Sequence, residues 1–317
     1  MRIDPHVHCR DGKLAYKETI EHTLKLCDEQ GVDMIFDMPN TDPPLLTERD
    51  MAARLALVPR EALKRYRLYL GATANEKQLR AAAGLVKECA QVVGIKLYAG
   101  HSVGALALPR EADQRKVYTI LAEAGYQGVL AVHAEKEKLF TRSFNPERPA
   151  SHSQARGPEA EIASITDQIV FACAAKFQGT LHICHLSTGA ALELVKAARD
   201  DLKITCGVTP HHLLWSSERQ IGQEGLLYKV NPPLRELADN IALRQGLKSG
   251  EIDWIETDHA PHPLSEKLYP PYESGYPSLC LYRLLIEELL PYWGVREEII
   301  KNVTCATIKK VFGERKF

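Results

Sequence analysis

Residues 67–98, RLYLGATANEKQLRAAAGLVKECAQVVGIKLY, contain the pattern that decides the fold. Arg67–Ala72 and Val92–Tyr98 are short apolar runs of strand length. Between them, Glu76–Cys89 places Leu79, Ala83 and Val86 at the spacing of one helical face. The unit reads strand, helix, strand. The same alternation extends both ways. Upstream, strands are predicted at Ile3–His8 and Val32–Met38, with a helix over Glu18–Glu29 carrying Ile20, Leu24 and Cys27. Downstream, strands are predicted at Val129–His133, Thr180–His185, Lys203–Val208 and Ile252–Thr257. Such alternation implies parallel strands joined by right-handed crossovers. About eight such units predict a closed (β/α)8 barrel of the α/β class, with an open doubly wound sheet as the competing architecture. No linker, internal repeat or low-complexity tract interrupts the pattern, so residues 1–317 are expected to form a single domain. The stretch 261–277, PHPLSEKLYPPYESGYP, is too polar for core and is expected to be a long loop on the catalytic face.

The totals exclude several function classes. With 317 residues, 45% of them hydrophobic, the chain can bury a large core. Lys and Arg number 40 against 41 Asp and Glu, a formal charge of -1. No clustered basic excess marks a nucleic-acid surface. No apolar run approaches the ~18 residues of a membrane span, and no apolar leader follows Met1, so a cytoplasmic location is expected. The eight cysteines form no CxxC pair and lie scattered in apolar segments, which predicts reduced thiols.

Residues able to bind metals recur at the carboxyl ends of the predicted strands. His6 and His8 end the first strand, Lys96 lies at the end of the fourth, His133 ends the fifth, His185 the sixth, and Asp258 follows the eighth. In a barrel these ends converge on one mouth. Residues i and i+2 of a strand face one side, so His6 and His8 can point to a common centre. Neutral imidazole suits zinc and similar metals. Lys96 lies in an otherwise apolar strand, either snorkelling to water or desolvated and nucleophilic. In the second case it can take up CO2 and become an anionic oxygen ligand, which an ammonium cannot be. His133 and His185 would each pass alone for core histidines; in register with an HxH pair and an acid they read as ligands. Asp258 can bind metal and accept a proton, or else cap a helix. His182, His211, His212 and His259 compete for these roles. Alternation predicts that the His182 ring faces away from that of His185, and His211 and His212 are expected at a helix start or behind the first ligands.

The series DPHVHCR, MPNT, IKLY, VHAE, CHLST, TPHHLL, NPPLR and TDHAPH resembles the amidohydrolase superfamily and, within it, the dihydroorotases. The motifs run from residue 4 to residue 262, and NVTCATIKKVFG resembles the family's closing segment. The resemblance implies two zinc ions per subunit. His6, His8 and Asp258 would hold the first, His133 and His185 the second, and an N6-carboxylated Lys96 would bridge both. A metal-bridging hydroxide would be the nucleophile and Asp258 its proton shuttle. The implied reaction is the reversible cyclisation of N-carbamoyl-L-aspartate to L-dihydroorotate and water, in pyrimidine synthesis. The positions matching Arg10, Asn40 and His262 would hold the substrate carboxylate, and Asn231 a further part of the substrate. An arginine fork suits a carboxylate because it grips both oxygens.

The chain departs from the family in two places. Strands that build a small flanking β domain in many relatives are expected to be absent, and AGHSVGALALP, after Lys96, lacks a clear match to a substrate-covering lid. Dihydropyrimidinases or hydantoinases and allantoinases are the enzymatic alternatives. Their substrates carry no ring carboxylate for Arg10, and hydantoinases place a tyrosine where His101 stands. An inactive barrel serving as a partner of aspartate transcarbamoylase is the non-enzyme alternative, although such a chain would be expected to have lost a ligand. A homo-oligomer or a transcarbamoylase partner stays open beside activity.

Overall fold

Eight parallel strands follow one another in chain order in the computed structural model, which describes residues 1–102, 104–141 and 143–317. They are β1 (Ile3–Val7), β2 (Met34–Asp37), β3 (Tyr66–Gly71), β4 (Val92–Tyr98), β5 (Val129–His133), β6 (Thr180–Ile183), β7 (Ile204–Val208) and β8 (Trp254–Ile255). Each pairs in parallel with the next. The ring closes just past β8. Val7 bridges His259 in parallel, and the His8 N–H donates to the His259 carbonyl at 2.8 Å. The Asp4 carboxylate completes the seam by accepting from the Thr257 backbone N–H at 3.0 Å and its hydroxyl at 2.5 Å. The architecture is therefore the closed (β/α)8 barrel and not the open sheet.

The connecting helices are α1 (Ile20–Gln30), α2 (Glu48–Leu55), α3 (Glu76–Glu88), α4 (Glu111–Glu123), α5 (Ser151–Ala155), α6 (Pro158–Ala174), α7 (Gly189–Ala197), α8 (Pro210–Leu214) and α9 (Leu237–Ser249). Their starts follow local chemistry. Thr19, Asn75, Thr188 and Thr209 each accept a first-turn N–H with the side chain. Thr47 and Asp50 form a reciprocal capping box on α2. The long apolar faces pack on the outside of the strands. A second cluster, including Ile3, Phe36, Tyr69, Val129 and Trp254, fills the barrel lumen, and Phe312 plugs its lower end. The Phe312 ring lies 5.0 Å from Phe36 and 5.8 Å from Trp254. Among the described residues no helix is long and apolar enough to cross a membrane.

The predicted strands differ from the observed ones at both ends, and several differences at the carboxyl ends have a local cause. The sixth stops at Ile183 instead of His185, because His185 adopts φ 39° and turns its N–H onto the Glu256 carboxylate at 2.5 Å. This turn also corrects the expectation for His182. Strict alternation would put the two rings on opposite faces, yet both lie inside the barrel. The eighth strand is only Trp254–Ile255, since the Thr257 N–H donates to the Asp4 side chain and not to a strand carbonyl. In the first, a register shift between Asp4 and Val7 re-aims the chain. The polar stretch 261–277 is not purely loop. It contains a short helix, α10 (Leu264–Leu268), and buries Lys267 and Ser274. In AGHSVGALALP, Val103 lies outside the described residues.

One buried ion pair ties the mouth to the scaffold. Asp37, at the end of β2, accepts from Arg54 Nη2 at 2.7 Å, Tyr66 OH at 2.5 Å and Cys9 N at 2.9 Å. Arg54 Nη1 donates to the Arg10 carbonyl at 2.5 Å. It thereby pins the turn in which Arg10 and Asp11 take φ 56° and 65°, conformations that cost energy in non-glycine residues. Arg54→Leu leaves the Asp37 charge buried without its partner. The expected loss of stability is about 3–5 kcal/mol in urea unfolding, and a loss under about 1 kcal/mol would show the pair to be dispensable.

Candidate active site

The strand ends bring the predicted residues together at one mouth. His6 Nε2 and His8 Nε2 lie 3.3 and 2.9 Å from Asp258 Oδ1. His133 Nδ1 faces His185 Nε2 at 3.1 Å, and the His6 and His185 rings are 5.3 Å apart. Asp258, like His185, has positive φ, at 48°. A small cavity of about 30 Å³ is lined by His6, His8, Arg10, Asn40, His133, His185, Asn231 and Asp258, with Ser102 also on its wall.

Lys96 and His262 do not line that cavity. Lys96 is completely buried, its Nζ 2.8 Å from Cys184 Sγ and 5.2 Å from the Tyr98 ring centre. The snorkelling reading is thereby excluded. His262 lies behind Arg10, accepting at Nε2 from Arg10 Nη2 at 3.1 Å. Its Nδ1 faces Glu266 at 2.9 Å, and Lys17 pairs with the same carboxylate at 2.7 Å. Asn40 Oδ1 holds His8 Nδ1 at 2.7 Å, which leaves His8 Nε2 for the Asp258 side.

Burial decides the charge states. It lowers His8 to about 4 and pushes His133 down, and together with the neighbouring His133 it pushes His185 far down. These rings are neutral and carry free lone pairs. Burial alone would raise Asp258, but the His6 and His8 imidazoles hold it well below the usual carboxylate range. Burial and the Lys96 charge work to lower His6, yet Asp258 outweighs both. His6 Nδ1 and His185 Nδ1 are buried without hydrogen-bond partners. Two buried groups, His6–His8–Asp258 and His6–Cys184–Glu256, hold their ligand atoms within 4.8 Å of one another. Neutral imidazoles, a carboxylate and orphaned nitrogens are a donor set that fits a divalent cation. A third group, His262–Glu266–Glu273, already receives the Lys17 ammonium.

Supporting residues escaped the sequence reading. Glu256, two residues before Asp258, accepts from the His185 N–H, from Trp254 Nε1 at 3.1 Å and from His182 Nε2 at 3.1 Å. Its spacing from Asp258, in an otherwise apolar segment, was the available signal. Glu135 lies two residues past His133 and 2.9 Å from its Nε2, and Arg156 grips the same carboxylate at 2.5 Å. Such outer carboxylates orient ligating histidines. His211 and His212 sit in the first turn of α8, bonded to Ser278 and to the Pro232 carbonyl, so they buttress loops. His259 faces Glu18 at 3.6 Å.

No protein-family model matches the chain. Among curated proteins it is similar to the dihydroorotase of Pyrococcus horikoshii, 33% identical over 84% of this chain and 55% of the relative. It is also similar to the dihydroorotase of Aquifex aeolicus, 31% identical over 97% of this chain and 74% of the relative. The chain thus spans little more than half the length of the Pyrococcus protein. Of solved structures, the L-hydantoinase (dihydropyrimidinase) of Arthrobacter aurescens superposes with a TM-score of 0.84 at 23% identity, covering 98% of this chain and 70% of that one. The Saccharomyces cerevisiae dihydroorotase, in complex with 5-fluoroorotic acid, gives 0.79 at 19%, covering 98% and 84%. At these identities the structural likenesses establish the barrel fold alone.

The geometry of Glu256 makes a stability prediction. Burial would raise its carboxyl, but His182 and His6 hold it well below its ordinary value of 4.5. A carboxylate depressed in the fold stabilises fully above its unfolded value, and that stability is lost only as pH falls through the folded value. Glu256→Gln should therefore cost about 3–5 kcal/mol, with the same deficit at about pH 7.5 and about pH 5.5 in urea unfolding. A deficit that closed at the lower pH would show that the carboxyl is protonated in the fold.

Proposed function

Since the chain belongs to the dihydroorotase family, we propose that it interconverts N-carbamoyl-L-aspartate and L-dihydroorotate, using two zinc ions at the barrel mouth. The observation that carries this reading is the placement of Arg10 on the wall of the same cavity that four imidazoles and Asp258 line. A cation-binding cluster with a guanidinium beside it suits a cyclic amide that carries a carboxylate.

His6, His8 and Asp258 would hold one ion and His133 and His185 the other, with Lys96, carboxylated on Nζ, between them. Bound zinc supplies Lewis acidity toward the scissile carbonyl and brings water to reactivity near neutral pH. The remaining work falls to this chain's own groups. Arg10 is buried, so its charge acts on the substrate carboxylate with little screening. His262 accepts from Arg10 Nη2 and so steadies the fork. Asn40 is fixed by His8 at the same wall, and Asn231 stands among the lining residues with Ser274 and Gly275.

In ring opening, Asp258 accepts the proton of the attacking water. It then delivers the proton to the ring nitrogen as the carbon–nitrogen bond breaks. Its carboxyl is ionised beside His6 and His8, so an oxygen is available to take up the proton. Closure of the ring runs the same steps in reverse and releases water. Residues 1–317 act on this reading as one barrel unit with a small-molecule substrate.

Zinc-loaded protein supplied with bicarbonate is expected to open L-dihydroorotate and to leave dihydrouracil, hydantoin and allantoin intact, as followed by ultraviolet absorbance. Turnover of an uncharged ring in place of dihydroorotate would keep the metal centre and discard the carboxylate argument. Asp258→Asn should fold as the parent does and lose about 100- to 10,000-fold in kcat. Parental turnover in that variant would remove Asp258 from proton transfer.

A further inference from the structure

His152 belongs to no motif noted in the sequence, yet it reaches the cavity wall. It lies on α5, in the connection after β5, and only 4% of it is exposed. Its Nε2 lies 3.0 Å from the Val230 carbonyl oxygen and 2.9 Å from Asn231 Oδ1. A backbone carbonyl only accepts, so Nε2 must carry the proton. The Asn231 atom facing that same N–H is then necessarily the oxygen. The amide nitrogen of Asn231 is left on the other side, without a protein partner among the described residues. Asn231 lines the cavity.

Two further contacts leave the amide little freedom. The Phe144 ring meets His152 edge-on at 5.7 Å and fixes the tilt of the imidazole. On the opposite side, the Lys229 carbonyl receives Lys267 Nζ and Gly275 N–H, both at 2.9 Å, so the backbone leading into Asn231 is tied to the loop after β8. The backbone is thus held by one loop and the side-chain orientation by another. Burial, together with the nearby Lys229 and Arg156 charges, keeps the His152 ring neutral.

We propose that His152 is a positioning residue for the substrate: it holds the Asn231 amide with its NH2 toward the cavity, so that this wall offers a hydrogen-bond donor to a carbonyl oxygen of the bound ring. The inference rests on the function proposed above. Together with Arg10 it makes the two sides of the pocket donor-rich, which suits a ligand bearing acceptors at both places. A ligand with a donor opposite Asn231 meets the wrong group, and a buried mismatch of that kind is costly.

The test uses metal-loaded protein and steady-state kinetics on L-dihydroorotate. His152→Met is expected to raise KM about tenfold, the worth of one hydrogen bond, while kcat stays within about twofold. His152→Gln can place an N–H near the same two oxygens and should restore most of the loss. His152→Asn, whose amide falls short of them, should behave like the methionine variant and serves if the latter fails to fold. In an Asn231→Ala background, His152→Met should add nothing further. Equal KM in parent and His152→Met, or an undiminished effect without Asn231, overturns the positioning role while the proposed function stands. A parent protein inactive on dihydroorotate overturns the function itself, and this inference with it.

Discussion

Glu256 is the carboxylate on which the mouth of the barrel depends. It lies inside a lumen lined mostly by apolar side chains, and an ion there survives only if donors answer it. Those donors are the His185 N–H, His182 and the Trp254 indole. The first of them turns His185 out of the sixth strand, and His6 Nδ1 lies 3.6 Å away. One buried charge therefore links β1, β6 and β8 and aims two of the imidazoles that meet at the mouth. The early end of the sixth strand, which looks like an irregularity in the sheet, follows from satisfying this group.

Behind the ring of histidines a second set of contacts converges on the short segment 151–156. His152 reaches across to Asn231, while Arg156 grips Glu135, which in turn touches His133. Arg156 also donates to the His101 carbonyl, in the loop after β4 that brings Ser102 to the cavity. Three walls of the pocket thus take their positions from six consecutive residues that contribute nothing to the barrel itself. This division of labour fits a fold whose strands supply a rigid frame and whose loops supply chemistry.

The fold was legible because its signals are local. The strand runs at Val92–Tyr98 and Val129–His133 were placed to the residue, and the barrel followed from their alternation with amphipathic helices. The mouth was legible because His6, His8, His133, His185 and Asp258 stand at strand ends, where a barrel must gather them. Less visible were residues whose partners are distant in sequence. Nothing near Glu256 reveals that it will meet His6, 250 residues earlier, and Arg54 gives no local sign of holding the Arg10 turn. The sequence left Lys96 open between snorkelling to water and burial, since nothing local shows that Cys184 awaits it. Backbone at positive φ, as at His185 and Asp258, defeats simple alternation altogether.

The plug at the lower end of the barrel has a consequence for traffic. Phe312, packed against Phe36 and Trp254, fills the lower end of the lumen. Lys96 lies below the histidines, fully out of reach of water. On the proposed function, a reagent that reaches its amine from the side of the histidines shares that approach with the substrate. On that reading a molecule resting at the mouth acts as a stopper, and exchange by that route waits for it to leave.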